Sequence, residues 1–340
     1  MLTLNQVSRR YGGATALDGV DFVVPENTYM ALLGASGAGK TTLLRLIAGF
    51  EEPDQGTISL HGERIDGQPS HLRDIGFVFQ NFALFPHLTV AENVAFGLRH
   101  RAHAPLTNET EIKDRTEAAL ELVGLTGFGH RGVSAISGGQ RQRVALARTL
   151  VCEPRIVLLD EPLGALDANL RSRMCDELKA IRERLGVSFL HVTGSETEAL
   201  TMGDQVAVLA NGRIMQSDAP DMLFSHPGNA EAARHLNAWN IFDASLCNHD
   251  LGQGPIAVRF DQIDVSDPGA APTERPALHA TYLTGEFNGP TALSFFRAAD
   301  GTLLQVVDHL SQPRLPDLVE GQGYDLHFAA DALRQFHGAA

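Results

Sequence analysis

The chain is 340 residues long, 44% hydrophobic and 20% charged, proportions that exclude a disordered or collagen-like polypeptide and suit two globular domains. Its formal charge of −14, with residues 1–242 and the remainder both acidic, excludes a broad basic face for nucleic acid. Cys152, Cys175 and Cys247 form no C-x-x-C pair, which excludes a disulfide framework or zinc site and suits a reducing cytosol.

Met1–Gly13 has no apolar stretch of signal-peptide type, and no apolar run approaches the roughly 18 residues of a membrane span, so neither is expected. The first two-thirds alternate strand-like and helix-like stretches, the pattern of an α/β domain with a largely parallel sheet. Strands are predicted at Leu2–Val7, Tyr29–Leu33, Gly76–Phe79, Ile156–Asp160, Ser188–Thr193 and Gln205–Ala210. Several are short apolar runs of the kind covered on both faces. Helices are predicted at Lys40–Ala48, Asn169–Leu185 and Glu196–Met202. Between Gln80 and Arg155, helical stretches near Ala91–Leu98, Thr110–Val123 and Gly138–Val151 follow one another without a strand and read as an all-helical insert.

Beyond Trp239 the texture changes. Ile256–Phe260, Leu278–Tyr282, Ala292–Phe296, Leu303–Val307 and Tyr324–Phe328 alternate and are separated by Gly, Pro and Asp clusters, predicting a small all-β domain, with Ser266–Pro276 as a loop within it. The expected organisation is an α/β domain over residues 1–235, its helical insert at about 81–155, and a β domain over residues 236–340.

Gly34-Ala35-Ser36-Gly37-Ala38-Gly39-Lys40-Thr41 fits G-x-x-x-x-G-K-[ST] between a predicted apolar strand and a predicted helix. Glycines let the backbone curl so that several N–H groups converge on one anion. The helix that follows, through Thr42, offers unsatisfied N–H groups and its positive dipole end to the same phosphates. Lys40 is placed to reach the β/γ-phosphates, and the Thr41 hydroxyl is a hard oxygen ligand for Mg²⁺. Only three of the 27 basic residues are lysines, so a lysine at this position carries weight. Downstream, Ile156-Val157-Leu158-Leu159-Asp160-Glu161-Pro162 is an apolar strand ending in two acids. At the C-terminal edge of a parallel sheet Asp160 is expected to face Thr41, while Glu161, one residue on, points elsewhere and can orient and deprotonate a water.

Ile136-Ser137-Gly138-Gly139-Gln140, followed by basic Arg141–Arg148, resembles the L-S-G-G-Q signature of ABC ATPases, with Ile for Leu. Gln80 resembles that family's Q-loop glutamine, Leu166-Asp167 its D-loop, and Tyr11 the aromatic residue that stacks on adenine. The similarity runs from about Leu2 to Ser225. It implies a P-loop ATPase that binds ATP and Mg²⁺, with Thr41, Gln80 and Asp160 around the metal and Glu161, Gln80 and Lys40 at the reacting phosphate. Ser137 is a good N-cap, and the N–H groups of Gly138, Gly139 and Gln140 open a helix, a second anion site. The resemblance implies that this site is used in trans: two copies pack head to tail, each nucleotide lying between one copy's phosphate loop and the other's signature.

The run Gln80–Val94 resembles ATPases of type I importers. That implies a peripheral subunit at the cytoplasmic face of the inner membrane, beneath two separate permease subunits and indirectly served by a secreted binding protein. Phe82, Leu84 and Phe85 are expected to help line a permease groove. Gly321–Phe328 resembles the last strand of the TOBE-type (OB-like) domain of importer ATPases for polyamines, ferric iron, sulfate, molybdate and sugars. Ile256–Asp261 resembles that domain's R-P-E segment, with Phe260 in place of Pro and Asp261 in place of Glu.

One departure matters. In His191-Val192-Thr193-Gly194-Ser195-Glu196-Thr197-Glu198 the family's switch histidine falls on Gly194. His191 lies an odd number of residues upstream on an extended segment, so its side chain faces the other way and is expected to be a satisfied strand-end histidine. Loss of one preorganised contact to a transferring phosphoryl group costs about 2.7–4 kcal/mol, a hundredfold or more in rate. Competent nucleotide binding with slow turnover is expected. The alternative is an ATP-gated scaffold whose hydrolysis is vestigial.

Overall fold

The computed structural model describes residues 1–100, 105–164, 168–272, 274–311 and 315–336, and their contacts separate into two units, Met1–Asp221 and Met222–Ala340. The first unit runs β1 (Leu2–Tyr11), β2 (Ala14–Val24), β3 (Tyr29–Leu33), α1 (Lys40–Ala48), β4 (Gln55–Leu60), β5 (Glu63–Arg64), β6 (Ile75–Val78), α2 (Val90–His100) and α3 (Glu109–Leu122). It continues through α4 (Gly138–Leu150), β7 (Ile156–Asp160), α5 (Ala168–Leu185), β8 (Ser188–Thr193), α6 (Glu196–Met202), β9 (Gln205–Ala210) and β10 (Arg213–Asp218).

Every residue of β3, β7 and β8 is buried, as apolar runs covered on both faces should be. They lie in a six-stranded sheet of order β10-β9-β3-β8-β7-β6. Its five strands from β9 to β6 are parallel, and β10 closes one edge antiparallel. The stretch Leu2–Val7 does not belong to this sheet. It extends to Tyr11 and sits in a separate antiparallel sheet of order β2-β1-β4-β5. Here one face is wet and bulges interrupt the register, so the alternation of β2 and β4 is broken.

The insert is helical, as the strand-free run implied: α2, α3 and α4 pack together on Val94, Leu98, Ile112, Leu120, Val144 and Ala147. Asn108 caps α3 through the Thr110 and Glu111 amides. A second core, between the two sheets and α1, gathers Leu4, Phe22, Leu32, Leu43, Ile47 and Leu158.

α7 (Pro220–Ser225) spans the division. The second unit then holds α8 (Ala230–Arg234), β11 (Trp239–Asp243), β12 (Pro255–Arg259), β13 (Asp264–Ser266), β14 (Ala277–Asn288), β15 (Thr291–Ala298), β16 (Leu303–His309), β17 (Gly323–His327) and β18 (Arg334–Gln335). The division falls ahead of residue 235 because α8 packs on β11 and β12, the Trp239 indole N–H donates to the Phe224 carbonyl at 3.1 Å, and Arg259 lies over the Phe224 ring. The strands form two antiparallel sheets, β11-β12-β18 and β13-β17-β14-β15-β16, around Phe242, Val258, Phe296, Tyr324 and Phe328. At the β16 edge the buried Asn240 carboxamide pairs with the Gln305 backbone, donating to its carbonyl and accepting from its N–H, both at 2.7 Å.

Candidate functional site

Because β3, β6, β7 and β8 are parallel, the loops that leave them emerge at one edge of the sheet, where α/β folds bind ligands. β3 is followed by the glycine-rich loop, β6 by Gln80, β7 ends in Asp160-Glu161, and β8 leads to Gly194. The loop needs its glycines. A Cβ on Gly34 would lie 2.4 Å from the Leu209 carbonyl oxygen. Gly39 has φ 105° and caps α1 where a Cβ would come within 2.5 Å of the Ala16 carbonyl. Ala35, Ser36 and Gly37 are exposed, Ala38 is buried, and Thr42 sits half-buried on the first turn of α1.

Lys40 is buried, its Nζ donating to the Gly34 and Ala35 carbonyls at 2.7 and 3.0 Å. Its ammonium is 3.7 Å from Glu161 Oε1, and Glu161 Oε2 accepts from Gln80 Nε2 at 3.2 Å. Glu161 takes a left-handed φ of 44°, a costly conformation for a residue with a side chain. On the other side the Thr41 hydroxyl donates to Asp160 Oδ1 at 3.3 Å. Burial pushes the Asp160 carboxyl above its ordinary range, although the Thr41 hydrogen bond works against this. The structure thus brings Lys40, Gln80 and Glu161 together and places Thr41 and Asp160 in contact.

Beyond Gln80, Phe82 and Ala83 have φ of 64° and 44°, and Arg148 on α4 holds this turn by donating to their carbonyls at 2.9 and 2.6 Å. Phe82 and Leu84 lean on the core of the insert while staying partly exposed. Phe85 packs on Phe96, and Phe96 on His100, as tilted rings with 4.5 Å between centres. Ser137 and Gln140 form a reciprocal capping box at the start of α4. The Gln140 side chain is engaged within its own chain, while Ser137 and Gly138 are exposed. Tyr11 is 40% exposed, its hydroxyl bonded to Glu51 and its ring 4.9 Å from the Arg9 guanidinium. Asp167 lies outside the described residues.

Gly194 is exposed, and a Cβ built on it meets only the Gly34 carbonyl oxygen, at 3.9 Å. His191 is fully buried and turned away. It is only half satisfied: Nδ1 is 2.9 Å from the Tyr29 hydroxyl, while Nε2 has no hydrogen bond and lies 3.7 Å from Glu198. Burial drives its pKa down to about 3, so the ring is neutral.

A pattern shared by ABC transporter proteins matches residues 17–164. The spermidine/putrescine import ATP-binding protein PotA 1 of Pseudomonas aeruginosa is 45% identical over 261 residues, covering 76% of this chain and 70% of that protein. The chain belongs to the ABC transporter ATP-binding family. This ABC ATPase is also 45% identical to YdcT of Escherichia coli, an uncharacterised ABC transporter ATP-binding protein, over 78% of each. Among solved structures it is similar to the dimeric post-hydrolysis state of the cassette MJ0796 bound to ADP and Pi, with a TM-score of 0.58 and 30% identity over 65% of this chain and 99% of that one. A similar likeness holds to cbiO1 of Clostridium perfringens, with a TM-score of 0.61, 30% identity, and coverage of 66% and 90%.

Three supports of the ABC ATPase site escaped the sequence reading: Arg148 beneath the loop after Gln80, Glu51 on Tyr11, and Glu198 behind Gly194. Arg148 stood within the quoted basic stretch, but nothing local gives its partners, which lie 65 and 66 residues earlier.

Proposed function

We propose that this chain is the ATP-hydrolysing subunit that energises import through a separate membrane permease. It works as a head-to-tail homodimer in which each nucleotide lies between one copy's phosphate loop and the other's Ser137–Gln140 turn. The observation that carries the reading is the convergence of Lys40, Gln80 and Glu161 at the mouth of the glycine-rich loop. Glu161 then takes the proton of a water attacking the γ-phosphate in line, while Lys40 and the loop amides bear the charge that develops on the phosphoryl oxygens. ATP's adenine stacks on the ring face of Tyr11 that Arg9 leaves open.

Mg²⁺ fits the donors present. Thr41 and Asp160 offer hard oxygens in contact with each other, and Gln80, whose amide N–H donates to Glu161, carries a further amide oxygen. Burial already disfavours a lone charge on Asp160, which a cation relieves. Among the described residues no group of three His, Cys, Asp or Glu side chains forms a metal cage. When bound, it would neutralise the charge on the phosphate oxygens.

Among the described residues no helix is long and apolar enough to cross a membrane, and a permease contact on the Phe85–Phe96–His100 strip would hold the subunit at the cytoplasmic face. The polyamine-import relatives point to a small organic polycation as the cargo, selected by the permease and its binding protein rather than by this chain.

Gly194 favours a second reading, the ATP-gated scaffold. Phosphate release and ATP-dependent dimerisation of the purified chain separate the two. Expected are slow release by the native chain, none by Glu161→Gln with dimerisation retained, and a gain on the order of a hundredfold for Gly194→His, the scale of one restored phosphoryl contact. The open space at Gly194 admits the imidazole. Native release no greater than that of Glu161→Gln, with dimerisation intact, would establish the scaffold instead.

A further inference from the structure

We infer that Glu198 is a positioning residue for hydrolysis: it fixes the turn Thr193–Ser195 against the phosphate loop and ties that turn to α5. The inference rests on the proposed ATPase reading and adds a residue that the motifs do not supply.

Gly194 has no side chain to anchor it and is exposed, and glycine has the widest choice of backbone conformation of any residue. Its neighbours nonetheless converge on one buried carboxylate. Glu198, on α6, is 6% exposed, and its Oε2 accepts from the Thr193 hydroxyl at 2.6 Å. The same Thr193 oxygen accepts from the Ser195 N–H at 3.0 Å, so one hydroxyl bridges both sides of Gly194. Ser195 in turn caps α6 by accepting from the Glu198 N–H at 3.3 Å. The second carboxylate oxygen lies 3.4 Å from Arg171 Nε on α5, four residues beyond the D-loop position Asp167. The remaining neighbour, His191, is neutral and bonded to Tyr29, so Arg171 is the cation facing this buried charge.

The buried carboxylate is oriented by its charge-assisted hydrogen bond from Thr193 and attracted to the nearby Arg171 cation. Held in this way, the turn keeps Gly194 beside the Gly34 carbonyl. Glu198 touches neither nucleotide nor water in this scheme; it acts through Thr193. The chemistry separates the two halves of the device. Thr193→Val deletes the bridging hydroxyl at nearly constant shape, Thr193→Ser retains it, and Glu198→Gln keeps an acceptor for Thr193 but loses the attraction to Arg171.

The full-length chain and these variants would be compared in two measurements. In ATP hydrolysis, Thr193→Val is expected to lower kcat at least fivefold with KM within twofold, Thr193→Ser to stay within twofold on both, and Glu198→Gln to fall between them. In hydrogen exchange followed by mass spectrometry, the peptide spanning 193–197 is expected to exchange at least tenfold faster in Thr193→Val and Glu198→Ala, and unchanged in Thr193→Ser. Hydrolysis absent from the native chain would remove the ATPase reading while exchange still judges the placement of the turn. Equal behaviour of Thr193→Val and Thr193→Ser in exchange, or a KM that rises as kcat falls, would overturn the role assigned to Glu198.

Discussion

His191 occupies the strand that leads to the phosphate site, yet it serves the interior. Burial holds the imidazole neutral, with a pKa of about 3 against 6.5 unperturbed. Between those values the unfolded chain binds a proton that the folded chain refuses, so this residue's contribution to stability falls as pH drops below 6.5. For one such group the loss between pH 7 and 5.5 is about 1 kcal/mol. Urea unfolding at both pH values should show that extra loss in the native chain relative to His191→Gln, which has no proton to gain; equal losses would contradict it. At this scale the sequence was readable where chemistry is local. The spacing within Gly34–Thr41 and the paired acids Asp160-Glu161 declare themselves because the residues that act together are neighbours in the chain. The partners of His191 do not, since Tyr29 stands 162 residues away. Nor does the open space at Gly194, which depends on where the Gly34 carbonyl lies.

α1 is held at both ends. Its N-terminus receives the phosphate loop, and its C-terminus is closed by Gly49, with φ 78°, and by Arg73. The Arg73 guanidinium, 2% exposed, donates to the carbonyls of Leu46, Ile47, Gln68 and Asp66 at 2.7–3.0 Å. A cation at this end meets the negative pole of the helix as well as carbonyls left over by the last turn. Arg73→Met keeps the volume and strands those carbonyls, and is expected to cost about 3 kcal/mol in denaturant unfolding; a loss below about 1 kcal/mol would show that water replaces the guanidinium. Helices and buried parallel strands were legible because their apolar periods are uninterrupted. β2 and β4 were not, because a half-solvated sheet with bulged register mixes Asp18, Gly19 and Asp21 into its pattern. β10 was hidden similarly, being a polar edge strand with no fully buried residue.

Each unit of the molecule draws its apolar core from its own residues: the clusters of the first end by Leu209, and that of the second starts at Phe242. The nucleotide contacts proposed above all fall in the first unit, so ATP should stabilise that unit's transition selectively. With Glu161→Gln to prevent turnover and ATP at a hundredfold excess over its Kd, mass action adds about 2.7 kcal/mol to the binding unit. Calorimetry should show one transition moving upward and the other remaining in place; a single transition shifting as a whole would count against independent cores. The change of texture near Trp239 was legible as a change to short antiparallel strands. The place of 222–235 was not, because it depends on Phe224 meeting Trp239 and Arg259.

Asn240 has a consequence at the same scale. Its carboxamide presents one N–H and one C=O to Gln305 as a neighbouring polypeptide would, so the outermost strand of the five-stranded sheet is already answered at its midpoint. A ladder left open there invites the edge of another molecule. By counterfeiting a single rung, this side chain takes up the ladder groups that the edge would otherwise offer at that point.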